Sequence, residues 1–233
     1  MARPVLLNNV DHRDLCIDAR RGMSLGDGVM AAPTFPAEFR NVQSYYPIVF
    51  GRAGDTGLQP LALFGFGEGQ NLFVEDGTWD AAYVPLSIQR QPFLIGPGHD
   101  GAALMHLDMD SPRVGRERGE PLFLEHGGNS AYLERMRAVL SALHEGLQAT
   151  PAFVDALLRH RLLEPFTLDI ALPDRPALQV SGFHAIAEER LRALDATALG
   201  ALHQAGLLEP VFMAVASLGN LRKLVDRLER GRG

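Results

Sequence analysis

His106 and Asp108 are the residues whose types and spacing come nearest to a metal-binding motif in this sequence. On a β-strand, the side chains at positions i and i+2 lie on the same face, so this pair could supply two ligands of a two-histidine, one-carboxylate iron site. His126, His144 or His160 could supply the third ligand. Such a site would suit a cupin-like, iron(II)-dependent enzyme of the oxygenase type.

A metal-free interpretation explains the same residues. His12 and Asp14 repeat the spacing, which indicates that the pattern arises easily, and a solvated acidic strand edge needs no metal ion. We therefore predict no metal and no other cofactor, and keep the iron site at His106 and Asp108 as the alternative.

The sequence argues against several other catalytic chemistries. It contains neither the HExxH motif of zinc proteases nor the G-x-S-x-G motif of serine hydrolases. His12–Leu15 copies the start of a protein-kinase catalytic loop, but the position of the metal-binding Asn is occupied by Ala19. The glycines of Gly65–Gly69 lack the dinucleotide-binding spacing, and a strand-like run follows them instead of a helix. Cys16 has no adjacent activating base and is interpreted as a small buried side chain.

Aromatic side chains are concentrated between Pro36 and Phe93, together with a few polar residues. This composition is typical of a small-ligand cleft, although an aromatic-rich sheet core would also account for it. The residues that we predict to contact a ligand or a protein partner are Glu38, Tyr46, Asn71, Trp79, Tyr83 and Arg90.

Composition limits the class of protein. The formal net charge is −6 with a pI near 5.7, and this balance argues against a nucleic-acid-binding surface. A single cysteine excludes an intrachain disulfide and favours a reducing compartment. No uncharged apolar run approaches the roughly 20 residues that span a bilayer. We therefore expect a cytoplasmic protein without a membrane span.

Short β-type runs bounded by Gly, Asp and Pro dominate residues 1–128. Pro36–Val42 is predicted to be a short helix, and Asp76-Gly77 is predicted to be a tight turn between strands. The predicted strands are Leu15–Ile17, Pro47–Phe50, Pro60–Phe66, Asn71–Val74, Tyr83–Leu86, Pro92–Ile95 and Ala102–Leu107.

Helical periodicity dominates residues 129–233, where a β-hairpin is predicted at 166–184. The predicted helices run from a Ser130 cap to Leu147, from Thr150-Pro151 to Leu163, over Ala187–Leu194, from an Asp195 cap to Gln204, and over Leu207–Leu228. The prediction is a single α+β domain over residues 1–233, with a mainly antiparallel sheet from the N-terminal half packed with the C-terminal helices. Segment 207–228 is also a candidate surface for a homodimer.

A resemblance to a known family emerges from a series of motifs. In order, these are A-E-F, Y-P-I-V-F, N-L-F-V, G-x-W-x-x-x-Y-x-P and R-x-P-F, followed by Gly119–Phe123, Gly182–His184 and Ser217–Leu221. Their combination covers nearly the whole chain and resembles the SapC family of proteobacteria.

The resemblance implies an association with surface-layer protein secretion, from which the family takes its name. Family members often lie beside genes for outer-membrane receptors and for flavin-halogenase-like and cupin-like proteins. The resemblance implies no established activity and no catalytic residue. We therefore predict a non-catalytic accessory protein that binds a protein partner or a small molecule through the Pro36–Phe93 surface.

Overall fold

A computed structural model of the chain describes residues 3–52, 57–97, 103–171 and 177–230. The chain divides into two compact units that interleave along the sequence. The first unit is built from the described residues of Met1–Gly28 and Phe73–Glu145, and the second from those of Val29–Leu72 and Gly146–Gly233. The prediction of one domain over residues 1–233 concerns how the units combine and stays a prediction.

Most strands lie in the N-terminal half of the chain. They are β1 (Pro4–Leu6), β2 (Cys16–Ile17), β3 (Ala31–Pro33), β4 (Ile48–Arg52), β5 (Leu58–Leu63), β6 (Val74–Glu75), β7 (Thr78–Trp79), β8 (Phe93–Pro97), β9 (Ala103–Asp108), β10 (Val114–Gly115), β11 (Glu120–Pro121), β12 (Leu163–Ile170) and β13 (Leu178–Ile186).

Helices dominate the C-terminal half. They are α1 (Phe39–Val42), α2 (Leu86–Gln89), α3 (Ala131–Arg159), α4 (Glu188–Arg192), α5 (Ala196–Gln204), α6 (Leu208–Ser217) and α7 (Asn220–Arg230). Two turns of 3-10 helix lie at Met23–Leu25 and Pro36–Glu38. The observed strands pair in the antiparallel sense, so the α+β prediction is confirmed.

The first unit contains two small three-stranded sheets and a short hairpin. Strand β9 lies between β1 and β8 in one sheet, and β2 lies between β10 and β11 in the other. The first part of α3 covers this unit's core, which contains Leu15, Ile17, Phe93, Leu107, Leu122, Tyr132, Leu133, Met136 and Leu140. The hairpin β6–β7 turns at Asp76 and Gly77, both with positive φ, as the sequence predicts.

The second unit is built on a five-stranded antiparallel sheet in the order β12-β13-β4-β5-β3. Helix α6 packs against β13 and β4, and it also contacts α1 and α5. The predicted hairpin at 166–184 is confirmed as β12 and β13, although its turn at Pro173-Asp174 lies outside the described residues. This sheet gives the unit a central strand, β4, that is buried along most of its length.

Prolines account for two wrong predictions. Tyr83–Leu86 does not form a strand because the Pro85 carbonyl accepts hydrogen bonds from Ile88 and Gln89 and so begins helix α2. Pro151 does not begin a new helix, since it lies inside α3. There the Thr150 hydroxyl donates to the Gly146 carbonyl at 2.8 Å, which ties this side chain to the preceding helical turn.

Two further element boundaries differ from the prediction. The segment Leu207–Leu228 is two helices, α6 and α7, because the N–H groups of Leu218 and Gly219 bond the carbonyls three residues back, Val215 and Ala216, instead of four. The predicted strand Asn71–Val74 is reduced to β6, in which only Val74 and Glu75 pair.

The predicted cap of α5 supplies a stability test. The Asp195 Oδ1 accepts a hydrogen bond from the Ala198 N–H at 2.8 Å, in the manner of an N-cap. We expect Asp195→Ala to lower the free energy of unfolding by about 1 kcal/mol, since that N–H loses its partner. Asp195→Asn should stay close to wild type because Asn caps comparably well. Urea unfolding measures both variants, and equal losses in the two would contradict the capping role.

Candidate functional site

A cavity of about 570 Å³ lies within the first unit, between strands β1, β8 and β9 and the first part of helix α3. Most of its lining is aliphatic or aromatic. The lining residues are Leu6, Leu7, Asn8, Asn9, Ile95, Ala103, Leu104, Met105, Phe123, Asn129, Leu133, Arg137, Leu140, Ser141 and His144. We call it the α3 cavity.

One stripe of α3 forms the helical wall of the α3 cavity. Leu133, Arg137, Leu140 and His144 follow one another at intervals of four, three and four residues, and this spacing places them on one face of the helix. Ser130 caps the helix by accepting from the Leu133 N–H through its Oγ at 3.1 Å. The cap and the periodicity together therefore fix which side chains face the cavity.

The sheet supplies the opposite, apolar wall. Ile95 and Met105 are a cross-strand pair of β8 and β9, and the Leu7 N–H donates to the Met105 carbonyl at 3.0 Å. Leu6 and Leu104 keep 37% and 36% of their surface exposed, which is unusual for leucine and marks an apolar rim.

The polar part of the lining carries a positive charge. Arg137 is the only Asp, Glu, Lys or Arg among the lining residues within the described part of the chain. Its Nη1 donates to the Glu134 Oε1 at 3.3 Å, and Asn129 donates to the same oxygen from Nδ2 at 2.5 Å. These hydrogen bonds hold the pKa of Glu134 below its ordinary value, and the bond from Asn129 has the larger effect. Glu134 therefore remains an anion beside the cavity.

Three of the predicted contact residues lie in the second unit, and all three are buried. Glu38 accepts a hydrogen bond from the Thr34 hydroxyl at 2.7 Å. The Tyr46 ring meets the Phe64 ring edge-on, with centroids 5.3 Å apart. Asn71 follows the loop after β5.

The other three predicted contact residues lie in the first unit, where they are half-buried. The Trp79 ring stacks on Phe73 with centroids 6.3 Å apart. Arg90 donates to the Phe93 carbonyl at 2.7 Å, and burial lowers the pKa of its guanidinium. Tyr83 precedes α2. The six predicted contact residues are thus divided between the units, and a binding role for them stays a prediction.

His106 and Asp108 lie on β9, as predicted, with most of their hydrogen bonds to the backbone. The Asp108 Oδ1 accepts from the N–H groups of Arg3 and Asp110 at 2.8 and 3.1 Å. The His106 Nδ1 lies 3.1 Å from the Leu104 carbonyl oxygen. Across the described ranges, no three His, Cys, Asp or Glu side chains form a group that could hold a metal ion. The iron site stays an untested alternative.

A buried ionic cluster in the first unit was not predicted from the sequence. Asp27 is fully buried and accepts from Arg113 Nη2 at 2.8 Å and from Arg21 Nη1 at 3.4 Å. Arg113, also buried, donates from Nη1 to the carbonyls of Asp18 and Arg20. Burial lowers the pKa of Arg21, and the neighbouring Asp27 opposes that shift. Because both guanidiniums share the buried Asp27 carboxylate and Arg113 also bonds two backbone carbonyls, we interpret the cluster as structural.

The remaining predictions concern membranes and self-association. No single helix within the described ranges is long and apolar enough to cross a membrane. The segments Ala196–Gln204 and Leu208–Arg230 meet the length and composition requirement only when they are taken together, and they are bent by 97° relative to each other.

On segment 207–228, α6 and α7 bury one face each and leave Phe212 largely exposed. The homodimer through this segment stays a prediction.

The α3 cavity was missed at the sequence level although part of its signal was visible. The amphipathic period of α3 is clear, but Arg137 and His144 lie among its aliphatic positions and look like ordinary helix-surface residues.

Comparison with known proteins identifies a family for the chain but no individual relative. Neither a curated protein nor a solved structure matches the chain significantly. The SapC family model matches residues 7–224 of the 233-residue chain, which confirms the resemblance in the sequence motifs. The chain therefore belongs to the SapC family.

Proposed function

We propose that this chain is a non-catalytic accessory protein that binds a small, mostly apolar molecule in the α3 cavity. The observation that carries the proposal is a cavity of about 570 Å³ whose lining is mostly apolar. Ligand-binding cavities in proteins typically have volumes of about 300–1,000 Å³ and combine an apolar wall with a few polar groups. The α3 cavity combines these features, since six polar residues accompany its apolar wall: Asn8, Asn9, Asn129, Arg137, Ser141 and His144.

The exposed leucines of the rim support the same proposal. Leu6 and Leu104 lie in paired strands, where burial would have been the favourable arrangement. An apolar ligand would remove their surface from water and gain roughly 25 cal/mol for each Å² of apolar surface buried. Binding thus has a physical driving force that does not depend on any catalytic group.

We further propose a setting for this binding role. This setting is an accessory task in surface-layer or outer-membrane uptake and secretion, which is what the resemblance of the sequence motifs to the SapC family implies. The single, unpaired Cys16 is in keeping with a cytoplasmic location. A protein partner would be engaged through the part of the predicted Pro36–Phe93 surface that lies in the first unit, at Trp79, Tyr83 and Arg90.

A chain-length series tests the binding proposal. We expect straight-chain alcohols from hexanol to decanol to bind with affinities that rise roughly fourfold for each methylene, because burying one CH₂ contributes about 0.8 kcal/mol. Isothermal titration calorimetry measures the affinities, and the increase should stop when the cavity is full. Binding that is absent throughout the series would contradict the proposal.

A matched pair of variants locates the binding. Leu104→Trp places a large side chain at the cavity rim and is expected to weaken decanol binding at least tenfold. Leu158→Trp makes the same change at an exposed position on α3 that does not line the cavity, so its affinity should equal that of the wild type. Equal affinities in all three proteins would place the ligand elsewhere.

A further inference from the structure

We infer that the ligand of the α3 cavity is an aliphatic monocarboxylate, with its carboxylate bound by Arg137 and its chain lying along the aliphatic wall. This inference rests on the binding role proposed above and names the chemical class of the ligand. Its basis is the distribution of charge and of hydrogen-bond donors in the cavity lining.

The charge of the lining selects an anion. Arg137 brings a positive charge to the cavity, and within the described residues no Asp or Glu lines it. A cationic ligand would therefore meet the guanidinium, while the carboxylate of Glu134 beside it already accepts hydrogen bonds from Arg137 and Asn129. A neutral ligand would leave the guanidinium without a new partner, whereas a carboxylate would accept charge-assisted hydrogen bonds from it.

The guanidinium retains donors for such a ligand. A guanidinium has five N–H groups in a planar fork that matches the two oxygens of a carboxylate. Within the described part of the chain, the ion pair of Arg137 is with Glu134, through Nη1 at 3.3 Å. That pair is exposed on both sides, at 58% and 54%, so sharing the guanidinium with a ligand carries a small desolvation cost.

The position of Arg137 fixes where the chain of the ligand would lie. Leu133 and Leu140 flank Arg137 on the same stripe of α3, one turn before and one turn after it. Because Leu133 and Leu140 are themselves buried, the aliphatic surface open to the ligand chain is that of the half-buried Ile95 and Met105 and of the exposed rim residues Leu6 and Leu104. The carboxylate and the aliphatic chain of the ligand would thus contact adjacent parts of one cavity.

The number of charges distinguishes a carboxylate from a phosphate. A phosphate monoester carries close to two negative charges at neutral pH and usually binds to more than one cationic group. The described lining offers one guanidinium and no lysine. A monoanion therefore matches the lining better than a dianion does.

The test compares three ligands that share one chain length: decanoate, decanol and decyl phosphate, each below its micelle concentration at neutral pH. Calorimetry is carried out on the wild type, on Arg137→Gln and on Arg135→Gln. Arg135 is the matched control because it is an exposed arginine of α3 that does not line the cavity. We expect the wild type and Arg135→Gln to prefer decanoate to decanol by roughly three- to fivefold, the gain that an ion pair with a largely exposed guanidinium provides. Arg137→Gln should lose that preference while still binding decanol.

Each of the other possible results would overturn one part of the inference. Equal wild-type affinity for decanoate and decanol would overturn the acidic head group and leave the binding proposal standing. Retention of the preference by Arg137→Gln would overturn the role of Arg137. Tighter binding of decyl phosphate than of decanoate would overturn the monocarboxylate. Binding of none of the three would overturn the proposed function itself.

Discussion

Replacing Asp27 with asparagine is expected to lower the free energy of unfolding by about 3–5 kcal/mol. Asp27 is 0% exposed and Arg113, its principal partner, is 2% exposed, so neither charge is solvated by water. Removing one member of a buried ion pair leaves the other charge uncompensated in a medium that solvates it poorly. The loss is therefore much larger than the small net contribution of an exposed ion pair.

The surroundings of Arg113 cannot compensate for the missing carboxylate. Its Nη1 already donates to the carbonyls of Asp18 and Arg20, at 3.0 and 2.6 Å. Its Nε is buried and has no hydrogen-bond partner within the described residues. Asparagine could still accept from the Gly22 N–H, as Asp27 does at 2.8 Å, but it carries no charge to balance the guanidinium.

Trp79 gives a direct measurement of this loss. It is the only tryptophan of the chain and belongs to the same unit as Asp27, so its fluorescence during urea unfolding reports on that unit. The double variant Asp27→Leu/Arg113→Met removes the two most deeply buried charges and should be more stable than Asp27→Asn, since the only cluster charge then left without its carboxylate is Arg21, whose side chain is 19% exposed. A double variant less stable than the single one would contradict the explanation by charge burial.

Asp18→Asn is the matched control, because it makes the same chemical change in a more exposed pair. Arg20, whose side chain is 72% exposed, donates to the Asp18 carboxylate at 2.5 Å. The expected loss at neutral pH is within about 1 kcal/mol. The Arg20 hydrogen bond lowers the pKa of Asp18 from 3.8 to about 2, so the contribution of this pair is complete above pH 3.8 and disappears as the pH falls toward 2.

Local sequence signals were sufficient for most elements of the fold. Asp76-Gly77 predicted a tight turn because both residues tolerate positive φ, and both adopt it. Asp195 predicted the start of α5, and its side chain accepts the expected hydrogen bond. Each of these signals depends on neighbours within a few residues, which the sequence displays directly.

The two wrong predictions at prolines share a physical cause. Thr150-Pro151 has the composition of a helix start, yet α3 continues through it. A proline inside a helix removes one backbone hydrogen bond, and the helix then either ends or bends. Packing against distant parts of the chain determines which of the two occurs, and the local sequence does not show that packing. Pro85 was misinterpreted for a related reason, since its fixed φ suits both an extended run and the residue before a helix.

The candidate site depends on contacts that no local pattern contains. Asp27 and Arg113 are 86 positions apart, so their pairing follows from the fold and from nothing near either residue. The α3 cavity likewise combines Leu6, Leu104 and Leu140, which come from three separate parts of the sequence. The predicted contact residues were chosen by composition within one stretch, and the structure divides that stretch between its two units.

Phe50→Ala is the second substitution for which we expect a loss of about 3–5 kcal/mol in the free energy of unfolding. Phe50 is fully buried on β4, the central strand of the five-stranded sheet, where it is paired with Pro60 and His184. Its ring centroid lies 6.3 Å from that of Phe153. Truncation removes most of the buried apolar surface of the side chain and leaves a cavity that β4, held on both edges, cannot close.

Phe212→Ala separates the effect of burial from that of residue type. Phe212 lies on α6 in the same unit and is 53% exposed, so the same truncation there is expected to change the free energy of unfolding by about 0.5 kcal/mol or less. Phe50→Leu, which keeps more of the buried volume, should lie between the two. Urea unfolding followed by far-ultraviolet circular dichroism ranks the three variants. If Phe50→Ala and Phe212→Ala lost the same stability, β4 would not be the core strand of this unit, because only burial distinguishes the two phenylalanines.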